Sequence, residues 1–122
     1  MLILSYILFS LELALLFVHE MDAVHKQEWN MFIILKDLDD ERAFRIFLLL
    51  HIPLYTAVLV LLLSNYARTG FYITDIFLIA HMFIHIAFRK HPSNKLTTGL
   101  SKFIIHTAGV LAIIHLIYLM FL

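Results

Sequence analysis

Residues 2–18 read LILSYILFSLELALLFV and run without a break into HEMDAVHKQEW at 19–29. The first of these stretches is apolar apart from Ser5, Tyr6, Ser10 and Glu12. Its length approaches the roughly 20 residues that a helix needs to cross the hydrocarbon core of a bilayer. Three more such runs follow, at 46–63, 71–88 and 103–122. The 122 residues are 62% hydrophobic and 15% charged, with a mean hydropathy of +0.92, which leaves too little polar surface for a soluble domain of this length. In lipid, backbone polar groups must be satisfied within a helix or a closed barrel, so the runs are read as helices. The expected fold is all-α: one domain over 1–122, an integral membrane antiparallel four-helix bundle. A short interfacial helix is expected after the first span, where Trp29 to Leu35 (WNMFIIL) is apolar with an aromatic lead.

The first run lacks a positively charged start and a small-residue cleavage site, so it is read as a retained helix rather than a signal peptide. There is no cysteine, which removes disulfides and thiolate chemistry. Net charge is zero, so no bulk attraction to nucleic acid is implied. Lys26, Lys36, Arg42 and Arg45 flank the first connection, and Arg89, Lys90, Lys95 and Lys102 the third, whereas the second has only Arg68. The positive-inside rule then puts the first and third connections in the cytoplasm and both termini outside, in a multi-pass protein of the cell (inner) membrane. Asp39 or Asp40 is the expected cap of the second helix. Pro53 removes a backbone donor within that helix and is expected to kink it.

Depth sorts the ionisable residues, at about 1.5 Å of rise per residue. Each span brings a histidine to the cytoplasmic leaflet: His19, His51, the pair His81 and His85, and His106. Glu12, Asp75 and His115 form a second group nearer the outer half. Ionisable residues in spans usually face the bundle interior, because lipid exposure costs about 2.5–3.5 kcal/mol even on insertion scales. His106 and His115 lie on opposite sides of one helix, so only one can face a straight bundle axis.

Histidines from several helices, with carboxylates, suit zinc or iron. His81 and His85, one turn apart, make a chelating pair. The expected ligands are His19, His51 and His85, joined by His81 or His115. Glu20 is expected as a further ligand or as the general base, with Glu28 and Asp22 orienting imidazoles. HEMDA is not the HExxH zinc signature, since Ala23 stands where the second histidine belongs. Haem is a second reading, with His19 and His81 as axial ligands. A third is ion or proton movement through Glu12, Asp75 and His115. A fourth is a non-catalytic membrane subunit, whose polar residues pair with a partner membrane protein or within a homo-oligomer. Membrane lipids are expected partners in each case. An enzyme of this kind would take a lipid-like substrate from the side, for metal-assisted hydrolysis or oxidation. The competing expectations are solvated helix ends for His25, His91, Glu28 and Asp22, a snorkelling His106, and a headgroup-level anchor for Trp29.

The pattern His19-Glu20-x-Asp22-Ala23-x4-Glu28-Trp29 resembles the leading motif of a family of small bacterial four-helix membrane proteins, known only as a domain of unknown function. The resemblance continues through HIPL (51–54), IHIAFRKHP (84–92), Ser101 and His115-Leu116. It implies the fold and a set of positions to test: His19, Glu20, Asp22, Glu28, Trp29, His51, His85, His91 and His115. It implies no reaction, and it favours His115 over His106 as the functional histidine of the fourth helix.

Overall fold

The computed structural model describes residues 2–122. Four long helices form: α1 (Leu2–His25), α2 (Asp40–Leu63), α3 (Ala67–Ala87) and α4 (Gly99–Met120). A 3₁₀ turn, Glu28–Met31, follows α1, and no strand occurs among the described residues. All four helices are long and apolar enough to cross a membrane. They outrun the apolar stretches because capping residues sit further out. Asp39 accepts from the Arg42 N–H at 3.0 Å to start α2, and Thr98 accepts from the Ser101 N–H at 3.1 Å to start α4. Helix α2 continues through Pro53.

Helix α4 is the centre of the fold, packed against both α1 and α3, whereas α2 meets α3 and the 3₁₀ turn along one edge. Contacts between α1 and α3 keep a near-constant sequence offset: Phe9 meets Phe71, and His19 meets His81. These two helices therefore run parallel, with α4 antiparallel to both.

The buried positions of α1 are Ser5, Phe9, Glu12, Leu16, His19 and Ala23. Their steps alternate between four and three, the heptad seam by which one straight helix face keeps meeting its neighbours. On α4 the same seam runs through Ser101, Ile105, Ala108, Ala112, His115 and Leu119. Every second seam position of α1 is polar, so the interior is stratified. Phe9, Phe71 and Leu119 form one apolar layer, and Leu16, Leu78, Ala108 and Ala112 form another. Glu12 lies between these layers. His19 lies between the second and an apolar cluster of Ala23, Trp29, Leu35, Ala43 and Phe47. One heptad separates Glu12 from His19, roughly 10 Å along the helix.

Small side chains let α3 and α4 approach closely, as membrane helix interfaces favour. A Cβ on Gly109 would stand 2.7 Å from Met82 Cβ and 2.5 Å from its Sδ. Met82 shares α3 with His81 and His85. Gly109→Ala is thus expected to force the helices apart and destabilise the fold by about 1–3 kcal/mol, as overpacking does. Thermal unfolding in detergent, compared with Gly99→Ala, checks this, because a Cβ on Gly99 meets nothing within 4 Å.

Trp29 departs from the expectation of a headgroup anchor. Its ring is buried within the apolar cluster and its indole N–H faces Asp40 Oδ1 at 3.4 Å. Position along the chain gave its depth but not its direction. Ile33 and Ile34, 80% and 85% exposed, are the outward-facing residues of this connection.

Candidate metal centre

The site begins with the turn that ends α1. Gln27 takes a left-handed conformation (φ 54°, ψ 50°), which reverses the chain after the last helical turn. Lys95 holds this residue by donating to Gln27 Oε1 at 2.6 Å. The reversal carries Glu28 back beneath His19, while Trp29 packs into the neighbouring apolar cluster and fixes the 3₁₀ turn.

Glu28 then meets histidines from two helices. His85 Nε2 lies 3.0 Å from Glu28 Oε1, and His19 Nε2 lies 3.5 Å from Glu28 Oε2. His81 Nε2 is 3.1 Å from His85 Nε2. The three imidazole rings pack edge to face, with centroids 4.5–5.1 Å apart. One donor atom from each of His19, Glu28, His81 and His85 falls within 4.8 Å of all the others. Four ligands at the roughly 2.0–2.1 Å of zinc–nitrogen and zinc–oxygen bonds sit about 3.3 Å apart in a tetrahedron, close to the 3.0, 3.1 and 3.5 Å of the three contacts above.

The protein's own groups leave this cluster poorly satisfied. His19 is 2% exposed, and neither of its ring nitrogens has an aligned hydrogen bond among the described residues. Its 3.5 Å approach to Glu28 is an ionic contact at the limit of hydrogen-bond length. His85 Nε2 faces both His81 and Glu28, and one N–H cannot serve two acceptors well. A cation at the centre would satisfy all four side chains at once.

Burial pushes the Glu28 carboxyl up, but the close approach and charge of His19 and His85 outweigh this and hold it well below the usual carboxylate range. A carboxyl depressed in this way stabilises the fold above its unfolded pKa and loses that contribution only as pH falls towards the depressed value. Glu28 therefore stays ionised while the imidazoles compete for protons. Metal retention is expected to fall as pH drops from about 8 to about 5, since proton and metal need the same imidazole lone pairs. Glu28→Gln should weaken retention across that whole range. Equilibrium dialysis against zinc at several pH values measures both.

The other expected site residues fall into three places. His51 Nε2 lies 2.8 Å from Glu20 Oε2 beside the cluster, and His51 Nδ1 is 2.6 Å from the Phe47 carbonyl. A carbonyl only accepts, so Nδ1 carries a hydrogen. His51 Nε2 thus stands in ionic contact with Glu20, whose Oε2 has no aligned hydrogen bond among the described residues. Asp22 accepts from Ser101 Oγ at 2.5 Å, which ties the end of α1 to the start of α4. His115 is fully buried with Glu12 and Asp75 one heptad away; its Nδ1 is 3.1 Å from Asp75 and 3.5 Å from Glu12. His106 is exposed, so the two histidines of α4 serve different surroundings.

The structure thus brings His19, His81 and His85 together, sets His51 and Glu20 beside them as a pair, and separates His115. Glu28, expected to orient imidazoles, stands among the four donors that could hold an ion. Its signal in the sequence was its position just past a helix end, which does not reveal the left-handed turn. Ser5 was missed as the outermost member of the polar heptad line Ser5, Glu12, His19, a spacing visible in the sequence.

An apolar cavity of about 150 Å³ reaches the cluster between Met31, Phe32, Ile84 and Phe88 and is bounded by Glu28, His81 and His85. Among known protein families, the chain matches the family of unknown function DUF6713 over residues 5–122, and it belongs to that family. No curated protein and no solved structure matches it.

Proposed function

We propose that this family member is a membrane metalloprotein in which His19, His81, His85 and Glu28 hold one divalent ion, zinc or iron, at the cytoplasmic side. The carrying observation is the convergence of four buried or half-buried donors on one point, with His19 left unsatisfied by the protein. Donors of imidazole and carboxylate suit either metal. The basic connections support an inner-membrane protein with both termini outside.

The favoured activity is hydrolysis of a lipid-like molecule. The ion would supply Lewis acidity. Glu20 follows His19 directly in α1, and its carboxylate lies 2.8 Å from His51 Nε2, a pairing of the kind a general acid–base device uses. Glu20 in its carboxylate form takes a proton from the attacking water and returns it to the leaving oxygen, while His51 orients the carboxyl group. The apolar cavity beside Glu28 and His85 supports sideways access from the membrane.

The test is lipid mass spectrometry of bilayers incubated with zinc- or iron-loaded protein and with its Glu20→Gln variant. The expected result is loss of one lipid class and gain of its water-cleaved product with the wild type alone. Identical lipid profiles in both would contradict a hydrolytic role.

Glu12, Asp75 and His115 favour the ion- or proton-moving reading, since they form a buried polar layer. The apolar layer of Leu16, Leu78, Ala108 and Ala112 between them and the histidine cluster speaks against a continuous relay. These groups also pair within one chain, so burying them needs no partner subunit. The lipid-facing length of α2, where only Ala43 and Phe47 are buried, leaves room for a homo-oligomer or a partner membrane protein.

A further inference from the structure

A cavity of about 340 Å³ lies between the end of α3 and the start of α4, within the size range of small-ligand sites. Arg89, Lys90, Lys102 and His106 line it, over a floor that includes the buried Leu96 and Ile105. No carboxylate lines it. Among the described residues, Arg89, Lys90 and Lys102 form no ion pair. Three unpaired cations around one concavity make it a focus of positive potential.

The connection that builds the cavity is folded rather than loose. Asn94 Nδ2 donates to the Arg89 carbonyl at 3.2 Å, and Asn94 Oδ1 accepts from the Leu96 N–H at 3.0 Å. Lys95 ties the same segment to Gln27. The helix ends nearly cancel here: the negative end of α3 and the positive end of α4 each amount to about half a charge. The full charges of the three side chains therefore decide the sign.

Position narrows the ligand. The apolar spans stop at Ala87 and resume at Gly99, so the cavity stands where lipid headgroups would be. His85 is a shared wall: it lines this basic cavity and also the apolar cavity at the histidine cluster. A molecule with an anionic head and an apolar tail matches that pair of surfaces. A tetrahedral phosphate suits several separate donors, including the planar fork of Arg89. Basic pockets between membrane helices are a general means of holding phosphorylated headgroups.

We infer that this pocket binds the terminal phosphate of a phosphate-monoester lipid. Binding stands by itself; that the bound lipid is also the substrate rests on the metal-site reading above. His106, expected as a spectator, becomes part of the headgroup contact.

The test places the protein in phosphatidylcholine nanodiscs with or without about 10% phosphatidic acid and counts bound lipid by native mass spectrometry. Wild type is expected to retain phosphatidic acid over phosphatidylcholine by about tenfold or more, as charge-assisted contacts allow. Arg89→Ala/Lys102→Ala should lose that preference, and Lys102→Arg should keep it. Equal retention of both lipids by wild type, or an unchanged preference in the double variant, would overturn the proposal. Inorganic phosphate in detergent forms a second arm: binding as tight as that of the lipid would assign the pocket to a soluble phosphate and overturn the lipid source. Chelated protein forms a third. Retained preference after metal removal is expected, and its loss would mean that the ion, not the basic side chains, holds the headgroup.

Discussion

His85→Ala is expected to strip the bound ion, whereas His51→Ala keeps it. His85 Nε2 stands 3.0 Å from Glu28 and 3.1 Å from His81, so its loss removes one ligand and the contact that aligns two others. His51 instead points at Glu20. Metal content should fall from about one ion per chain to below about a tenth of that in His85→Ala, and remain near one in His51→Ala. Elemental mass spectrometry on protein purified in mild detergent reads both. The contrast matters more than either value, because the two histidines sit at similar depth and only their direction separates them. Equal loss in both variants would mean that His51 is a ligand.

The second large effect belongs to the outer polar layer. Glu12, Asp75 and His115 are each fully buried, and both Glu12 oxygens lack an aligned hydrogen bond among the described residues. Removing the one basic member leaves two carboxyl groups uncompensated in an apolar interior. His115→Leu is expected to cost about 1–3 kcal/mol, the range for leaving buried polar groups without their partner. Adding Glu12→Met and Asp75→Leu should recover most of that loss, since apolar side chains of similar shape leave nothing buried and unpaired. Chemical unfolding in detergent, followed by circular dichroism, gives the comparison. A neutral His115→Leu would show that the layer is not an electrostatic unit.

The helices were legible because hydrophobicity alone marks a span, and no competing structure satisfies the backbone in lipid. The seven-residue spacing of Glu12 and His19 also places both on one face of α1, the face that turns inward. Direction was legible only where periodicity supplied it. His51 was grouped with the other histidines by depth, but α2 is peripheral and its histidine reaches only the rim of the cluster. Glu28 was read as a supporting residue because nothing in HEMDAVHKQEW announces a left-handed Gln27. Glycine or asparagine would have marked that turn. The separation of His115 from the other histidines was visible as a depth conflict about 13 Å wide, and the two polar layers resolve it.

The most direct test is X-ray absorption at the metal edge of protein loaded with zinc or iron. The expected signal is three imidazole nitrogens and one carboxylate oxygen at about 2.0–2.1 Å from a zinc ion. Failure to bind an ion, or an ion with fewer than two imidazoles around it, would contradict the assignment of His19, His81, His85 and Glu28 as its ligands.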